Sequence, residues 1–212
     1  MRVLMAAGGT GGHLIPAIRI AEAIARQCQD AEFLFVGSDR GFEERVVTAR
    51  GYRYIGLPAR GLSRRRWWRN ASAAWNNLRA LRSADNIVKH YSPMVSVGCG
   101  GYASYFPIRA CRRRRIPYVL QEQNRFPGLA TRWLSQRARV TFTAFADTRQ
   151  HLPAKANVEL AGNPVDPRLA TMDRITARRA WNLGDDEIVV LVTGGSTGAQ
   201  SINRNIAQGL TT

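Results

Sequence analysis

Two glycine clusters in this sequence are suited to binding a phosphate group. One runs from Gly8 to Gly12 and is followed by His13, and the other runs from Gly194 to Ala199. Each follows a short apolar segment and precedes apolar residues at helical spacing, which predicts a strand, a loop and a helix. Backbone N–H groups at such a turn approach an anion closely, and the helix dipole favours negative charge there. These loops therefore predict contacts to a phosphorylated ligand.

A third glycine turn, Gly100-Gly101-Tyr102, follows the apolar segment 94–98. None of these turns has the Gly-Lys-Ser/Thr ending of a P-loop, and the first lacks the Gly-x-Gly-x-x-Gly spacing of a dinucleotide site. Such glycines can also serve only as tight turns. Three of them in matching positions after predicted strands favour a ligand-binding role.

His13 stands at the expected start of the first helix. One interpretation is a polar residue at a helix N-terminus. The other is a general base that faces the ligand, since imidazole titrates near neutral pH.

Predicted strands alternate with predicted helices along the chain, which is typical of an α/β fold with a parallel sheet covered on both faces. The predicted strands are residues 2–7, 32–36, 53–57, 94–98, 118–121, 140–145, 158–161 and 188–193, and the predicted helices include 16–26, 41–50, 69–90, 128–136, 174–182 and 202–210.

A domain boundary is predicted near residue 165, because Pro164 and Pro167 interrupt regular structure within Gly162-Asn163-Pro164-Val165-Asp166-Pro167. We expect a complete domain over 1–165. Residues 166–212 then hold only the first strand and the first helix of a second domain, which are too few elements to cover both faces of a sheet.

The chain is strongly basic, with 31 Lys and Arg against 15 Asp and Glu and a formal net charge of +16. This charge indicates an anionic partner, namely nucleic acid, anionic lipid or a phosphorylated small molecule. Three cysteines without metal-ligand spacing predict neither a disulfide framework nor a zinc site. No run of about 18 apolar residues occurs, so any membrane contact is expected at the surface.

Five blocks of the sequence, taken in order, resemble the MurG family of bacterial cell-wall glycosyltransferases. They span residues 5–205, which is nearly the whole chain. The blocks are Ala7-Gly8-Gly9-Thr10-Gly11-Gly12-His13-Leu14-Ile15-Pro16-Ala17, Val97-Gly98-Cys99-Gly100-Gly101-Tyr102-Ala103-Ser104, Glu122-Gln123-Asn124-Arg125-Phe126-Pro127-Gly128-Leu129-Ala130, Gly162-Asn163-Pro164-Val165, and Gly194-Gly195-Ser196-Thr197-Gly198-Ala199 with Asn203.

The resemblance implies a GT-B architecture, in which two Rossmann-like domains face a cleft. It implies UDP-N-acetylglucosamine as the donor and the undecaprenyl-diphosphate-linked muramoyl pentapeptide, lipid I, as the acceptor. The implied reaction is an inverting transfer of GlcNAc to the C4 hydroxyl, without a metal or another cofactor. The family's uracil- and ribose-binding residues fall after Thr212, so a protein ending there is expected not to catalyse the transfer.

By the same resemblance, His13 is the expected base or acceptor-hydroxyl contact, Asn124 orients a sugar, and Glu122 is a further catalytic candidate. Glu122 has an alternative role as a strand-end carboxylate that only structures its loop. The acceptor diphosphate is expected to contact Thr10, Gly11, Gly12, Gly100, Gly101 and Tyr102, and the donor is expected to contact Thr10, Gly11, Gly12, Asn124, Arg168 and Ser196.

The sequence departs from the family pattern at several positions. Asp166 stands where the family usually has Arg, which weakens the positive charge offered to the UDP group unless Arg168 substitutes for it. Gln121 replaces a common His, Thr131 replaces a frequent Asn, and Thr197 replaces a frequent Gln.

A basic, tryptophan-rich segment suits a membrane interface, where indole inserts shallowly and guanidinium groups meet anionic headgroups. It consists of Arg64, Arg65, Arg66, Trp67, Trp68 and Arg69. The arginine run 112–115, and Arg132, Arg137 and Arg139 around Trp133, are interpreted in the same way. Trp75 and Leu78, in contrast, are expected in the core.

Three alternatives to the lipid I transferase stay open. A nucleic-acid-binding module explains the charge, but no recognised reader motif accompanies it. Another GT-B transferase with a different acceptor would keep the loop around Ser196. A non-catalytic fragment would bind only acceptor or membrane. The preferred interpretation is a peripheral enzyme on the cytoplasmic face of the bacterial plasma membrane, which does not bind nucleic acid.

Overall fold

The computed structural model describes residues 1–61, 70–194 and 198–209, which divide into two compact units. The first unit is Met1–Pro164 and the second is Val165–Thr212.

The first unit is built on one parallel sheet of seven strands in the order β3-β2-β1-β4-β5-β6-β7. Strands β1 and β4 are neighbours in the middle of the sheet. The chain continues from β1 to β2 on one side and from β4 to β5 on the other, so the strand order diverges between β1 and β4. The strands are β1 (Arg2–Ala6), β2 (Glu32–Ser38), β3 (Arg53–Leu57), β4 (Val95–Gly98), β5 (Tyr118–Glu122), β6 (Thr141–Thr143) and β7 (Val158–Leu160). The predicted α/β fold with a Rossmann-like parallel sheet is confirmed.

Helices cover both faces of this sheet, as its apolar strands require. The helices of the first unit are α1 (Gly11–Gln27), α2 (Phe42–Thr48), α3 (Asn70–Tyr91), α4 (Tyr105–Arg113) and α5 (Leu129–Leu134). Alternate residues of β1 point to opposite faces. Leu4 therefore packs with residues of α3 and α4, whereas Met5 packs with residues of α1.

Helix α3 packs on the sheet through small side chains, and the expectation that Trp75 and Leu78 lie in the core is wrong. Its buried residues include Ala73, Ala80, Ala84 and Val88, which repeat at helical spacing. Trp75 is 62% exposed and Leu78 is 41% exposed, because both belong to another face of the helix. In the described residues, no helix combines the length and apolarity needed to cross a membrane.

The second unit contains α6 (Arg168–Thr171), α7 (Arg174–Ala180) and α8 (Gln200–Gly209). The strand predicted over residues 188–193 is wrong for this chain, since those residues pair with no strand. Ile188 is 93% exposed and Leu191 is 82% exposed. A strand needs a neighbour for its backbone N–H and C=O groups, and the described residues of this unit supply none. The helix predicted after it is present as α8.

Candidate functional site

The loops after β1, β4 and β5 meet at the carboxyl edge of the sheet, where the strand order diverges. In open α/β sheets, ligands bind in the crevice at this switch point. The loops carry Gly8–Thr10, Cys99–Tyr102 and Gln123–Gly128, which are three of the glycine-rich or polar blocks singled out in the sequence.

The first two glycine loops are packed directly against each other. A Cβ atom added at Gly101 would lie 1.6 Å from the carbonyl oxygen of Gly8, and Gly101 has a φ of +81°. A Cβ atom at Gly100, whose φ is +85°, would lie 2.7 Å from Cδ2 of His13. Any side chain at these two positions would push the loops apart, so these glycines do more than make tight turns.

Tyr102 closes one side of the crevice. A Cβ atom added at Gly9 would lie 2.9 Å from the Tyr102 ring, and a Cβ atom added at Gly61 would lie 3.6 Å from it. The Tyr102 hydroxyl is buried, and no hydrogen-bond partner for it is found in the part of the chain that the structure describes. A buried polar group without a partner is costly, and this hydroxyl lies beside the glycine loop that carries Gly9.

His13 lies in the first turn of α1, next to the N-terminal residue Thr10. The Thr10 carbonyl accepts hydrogen bonds from the N–H groups of His13 and Leu14, at 3.2 and 3.3 Å. Thr10 Oγ1 lies 2.9 Å from Nδ1 of His13. Burial lowers the pKa of His13 below 6.5, and the carboxylates of Glu122 and Glu43 act in the opposite direction. The imidazole is therefore neutral at pH 7, as a general base must be.

Both carboxylate oxygens of Glu122 accept hydrogen bonds from residues that follow it in the chain. It is 1% exposed. Its Oε1 accepts from the backbone and side-chain N–H groups of Asn124, at 3.1 and 3.0 Å. Its Oε2 accepts from the Thr131 hydroxyl at 2.6 Å and from the Gly128 N–H at 3.2 Å. With four donors on two oxygens, Glu122 orders the loop, and the geometry favours the structuring alternative over direct participation in the reaction.

Asn124 is exposed at the mouth of the crevice and is held in place from two sides. Its amide nitrogen donates to Glu122, and its carbonyl accepts from the Thr148 hydroxyl at 3.2 Å. Gln121, the residue that replaces a common His, donates to the Gly162 carbonyl at 3.0 Å and so ties β5 to the end of the first unit.

One buried carboxylate at this site, Glu43 on α2, was missed by the sequence analysis. It is 3% exposed. It accepts hydrogen bonds from the backbone N–H of Gly9 and, at 2.6 Å, from that of Ser38. The hydroxyl of Tyr54 lies 2.7 Å from its Oε2. The one signal in the sequence is an acidic residue shortly after the second strand, and nothing local distinguishes it from its neighbour Glu44.

Of the remaining predicted site residues, two belong to this site, one lies in the second unit and the others lie outside the described residues. Gly11 and Gly12 form the start of α1, next to Thr10. Arg168 belongs to the second unit, where its guanidinium group pairs with Asp166 at 2.7 Å and is 79% exposed. Ser196 and the segment Arg64, Arg65, Arg66, Trp67, Trp68 and Arg69 lie outside the described residues.

The site's chemistry is that of a neutral base beside backbone donors. The described residues contain no group of three or more His, Cys, Asp and Glu side chains placed to hold a metal ion. Cys99 next to Gly100 is not a nucleophile, because burial raises its thiol pKa to about 12.

Comparison with known proteins gives one family match and several similar proteins. Residues 3–143 match the model of the glycosyltransferase family 28 N-terminal domain. A protein of Desulforudis audaxviator named UDP-N-acetylglucosamine--N-acetylmuramyl-(pentapeptide) pyrophosphoryl-undecaprenol N-acetylglucosamine transferase is 40% identical over 96% of this chain and 55% of its own length. A Bacteroides thetaiotaomicron protein of the same name is 36% identical over 100% of this chain and 57% of its own length.

Among solved structures, Acinetobacter baumannii MurG is similar with a TM-score of 0.60 and 29% identity, covering 78% of this chain and 46% of that one. A putative UDP-N-acetylglucosamine 2-epimerase from Listeria monocytogenes has a TM-score of 0.58 at 11% identity, over 77% of this chain and 45% of that one, and shows likeness of fold alone. The chain thus spans about half the length of the relatives it matches.

Proposed function

Because the chain belongs to glycosyltransferase family 28, we propose that it forms the acceptor-binding part of an enzyme that transfers GlcNAc from UDP-GlcNAc to lipid I. The observation that carries this proposal is the placement of His13 between two interlocked glycine loops at the switch point of the sheet. Such an arrangement places a base and anion-binding backbone groups at one crevice.

In the proposed reaction, the C4 hydroxyl oxygen of the acceptor attacks the anomeric carbon of GlcNAc. The new C–O bond forms on the face opposite UDP, the bond to the UDP oxygen breaks, and its electron pair leaves with UDP. The hydroxyl proton passes to Nε2 of His13. This requires the tautomer in which Nδ1 carries the hydrogen and donates it to Thr10 Oγ1.

The backbone supplies the charge complementarity that the acceptor diphosphate needs. The start of α1, which holds Gly11 and Gly12, is the positive end of the helix dipole and so attracts an anion. Gly100 and Gly101 place a second loop beside them, and Tyr102 adds a hydroxyl. For the donor we propose Thr10, Gly11, Gly12 and Asn124 from the first unit, with Arg168 and Ser196 from the second. The two units would then correspond to an acceptor domain over 1–165 and the start of a UDP-sugar domain over 166–212.

An exposed face of α3 supports a membrane-bound acceptor. Trp75 and Leu78 flank Asn77, whose side chain exchanges two hydrogen bonds with the backbone of Arg60 in the loop after β3. This end of α3 therefore lies at the same edge of the sheet as the glycine loops. Exposed Arg79 and Arg82 continue the face. Together with the segment 64–69, this face is proposed to rest on the anionic cytoplasmic surface of the plasma membrane.

The test is transfer of labelled GlcNAc from UDP-GlcNAc to a lipid I analogue. It uses this chain expressed with any natural sequence that continues beyond Thr212, and His13→Ala in the same background. Transfer by the parent and a loss of roughly 100-fold or more in the variant are expected for a general base. A folded parent that binds the acceptor analogue and transfers nothing would favour a different donor or a non-catalytic role. A parent that transfers to another acceptor only would overturn lipid I.

A further inference from the structure

Glu43 sits directly beneath the first glycine loop, in a space that only glycines leave open. A Cβ atom added at Gly8 would lie 3.1 Å from Oε2 of Glu43, and one at Gly37 would lie 2.6 Å from the same oxygen. The carboxylate bridges the loop after β1, through Gly9, to the end of β2, through Ser38. Tyr54 on β3 closes the arrangement, and its pKa is raised by burial and by its hydrogen bond to Glu43. One carboxylate thus joins the loop after β1, the end of β2 and a side chain of β3.

We infer that Glu43 is a positioning residue for the transfer reaction, which fixes the conformation of Gly9 and thereby the direction in which Thr10 and His13 enter α1. The inference rests on the proposed function. It assigns Glu43 no contact with the substrate, since its two oxygens are occupied by Gly9, Ser38 and Tyr54.

Glu43 is connected to His13 by one hydrogen bond, from the N–H of Gly9, and by the backbone that runs from Gly9 to His13. Gly9 has a φ of +104°, a conformation that is costly for other residues and that is held here by the N–H bond to Glu43. Thr10 follows with extended backbone, and α1 begins at the next residue. A change of the Gly9 torsion angle would therefore rotate the first turn of α1, which carries His13. The same change would move the loop after β1 away from Gly101, because Gly101 is in direct backbone contact with Gly8.

Glu122 provides an internal parallel on the other side of the crevice. Both carboxylates are buried, both accept a backbone N–H from a loop that carries a proposed site residue, and both lie near His13. Each of them raises the pKa of the imidazole against the lowering by burial. Two such carboxylates, from α2 and β5, thus hold the loop after β1 and the loop after β5.

The test compares three variants with the parent, again with any natural sequence beyond Thr212. Glu43→Gln removes the charge and replaces one acceptor oxygen by a donor that faces the Ser38 N–H. Glu44→Gln is the matched control, because it removes the same charge from an exposed neighbour on the same helix. Glu43→Asp keeps the charge but is shorter by one methylene, so it does not reach Gly9. The readouts are kcat, KM for UDP-GlcNAc, and NMR of the Gly9 amide and of the His13 ring.

Glu43→Gln is expected to stay folded, to shift the Gly9 amide resonance, and to lower kcat about 10- to 100-fold with KM for the donor within about twofold, as misplacement of a reacting group does. Its His13 titration midpoint should fall, because a negative neighbour is lost. Glu43→Asp should keep that midpoint near the parent value and still lose kcat. Glu44→Gln should match the parent throughout.

Two results would overturn the inference. One is a Glu43→Gln variant whose kcat is within twofold of Glu44→Gln. The other is a fully active Glu43→Asp, which would mean that the charge alone matters; this variant also decides the question if Glu43→Gln does not fold. A parent that transfers no GlcNAc, although its Gly9 and His13 resonances respond to Glu43→Gln as expected, would refute the proposed function and leave Glu43 as the brace of the loop.

Discussion

The behaviour of His13 depends on one neighbouring hydroxyl. Thr10 Oγ1 lies 2.9 Å from Nδ1, and because a hydroxyl can donate or accept, the direction of this hydrogen bond goes with the ring tautomer. If Nδ1 donates, Nε2 is free to accept a proton; if Nδ1 accepts, Nε2 carries a hydrogen and cannot act as a base. For the proposed base we expect the tautomer in which Nδ1 donates to Thr10, which would give this hydroxyl a part in the proposed reaction.

Replacement of this hydroxyl should separate catalysis from folding. In Thr10→Val the shape of the side chain is retained and the hydrogen bond is lost, so we expect kcat to fall about tenfold while the melting temperature changes little. Thr10→Ser keeps the hydroxyl and should retain most of the activity. Steady-state transfer rates with thermal melts of both variants provide the check. Equal rates in the two variants would contradict a role for the hydroxyl.

The pH dependence of transfer should reflect the buried imidazole. Burial lowers the pKa of His13 from 6.5, so the neutral, active form persists below pH 6.5 and is lost only as the pH falls further. We therefore expect the acid limb of kcat/KM to lie below pH 6.5, and to be absent from the residual activity of His13→Ala. A midpoint at or above pH 6.5 in the parent would be inconsistent with this placement of His13.

At the scale of elements, helix α3 has one buried face and one exposed face. The face with Ala73, Ala80 and Ala84 allows close packing in the core. The face with Trp75 and Leu78 is exposed at the carboxyl edge of the sheet, so its apolar area is free to bind a surface.

This division predicts that the exposed face can be altered without unfolding. We expect Trp75→Glu to reduce binding to vesicles that contain anionic phospholipid by about tenfold or more, since it removes an indole and adds a repelled charge. The melting temperature should change little. Met94→Glu is the control, because Met94 is equally exposed, at 62%, and immediately precedes β4 at the opposite edge. Vesicle sedimentation measures both, and equal losses would refute a specific surface.

At the scale of the whole molecule, positive charge is spread well beyond the candidate site. Four arginines, Arg112, Arg115, Arg137 and Arg139, line a cavity of about 520 Å³ beside the amino end of β5. In the described residues, none of the four forms an ion pair. Added to a net charge of +16, this arrangement produces self-repulsion in the folded state.

Salt should therefore have opposite effects on stability and on membrane binding. Raising NaCl from about 0.05 to 0.5 M shortens the Debye length and screens the repulsion, so the melting temperature should rise by a few degrees. The same change should release the protein from anionic vesicles. Arg137→Gln with Arg139→Gln should reduce the rise in melting temperature. A melting temperature that falls with salt would contradict net repulsion as the dominant electrostatic effect.

The sequence by itself determined the features that depend only on residues close together in the chain. Apolar periodicity predicted the strands and helices of the first unit. The glycine loops predicted where a phosphate would bind, since backbone N–H groups at a glycine turn before a helix can approach an anion closely. The five ordered blocks indicated the family. His13, Gly100, Gly101 and Tyr102 were all located in this way, and the structure brings them together.

Only the tertiary structure decided which residues became neighbours. Glu43 and Glu44 are equivalent in the sequence, yet one lies beneath Gly9 and the other faces solvent, because the sheet order places β2 next to β1. Ala73 and Trp75 lie two residues apart and therefore on different faces of α3, and only the face with Ala73 packs on the sheet. Residues 188–193 have a strand-like composition and form no strand, because a strand exists only with a paired neighbour.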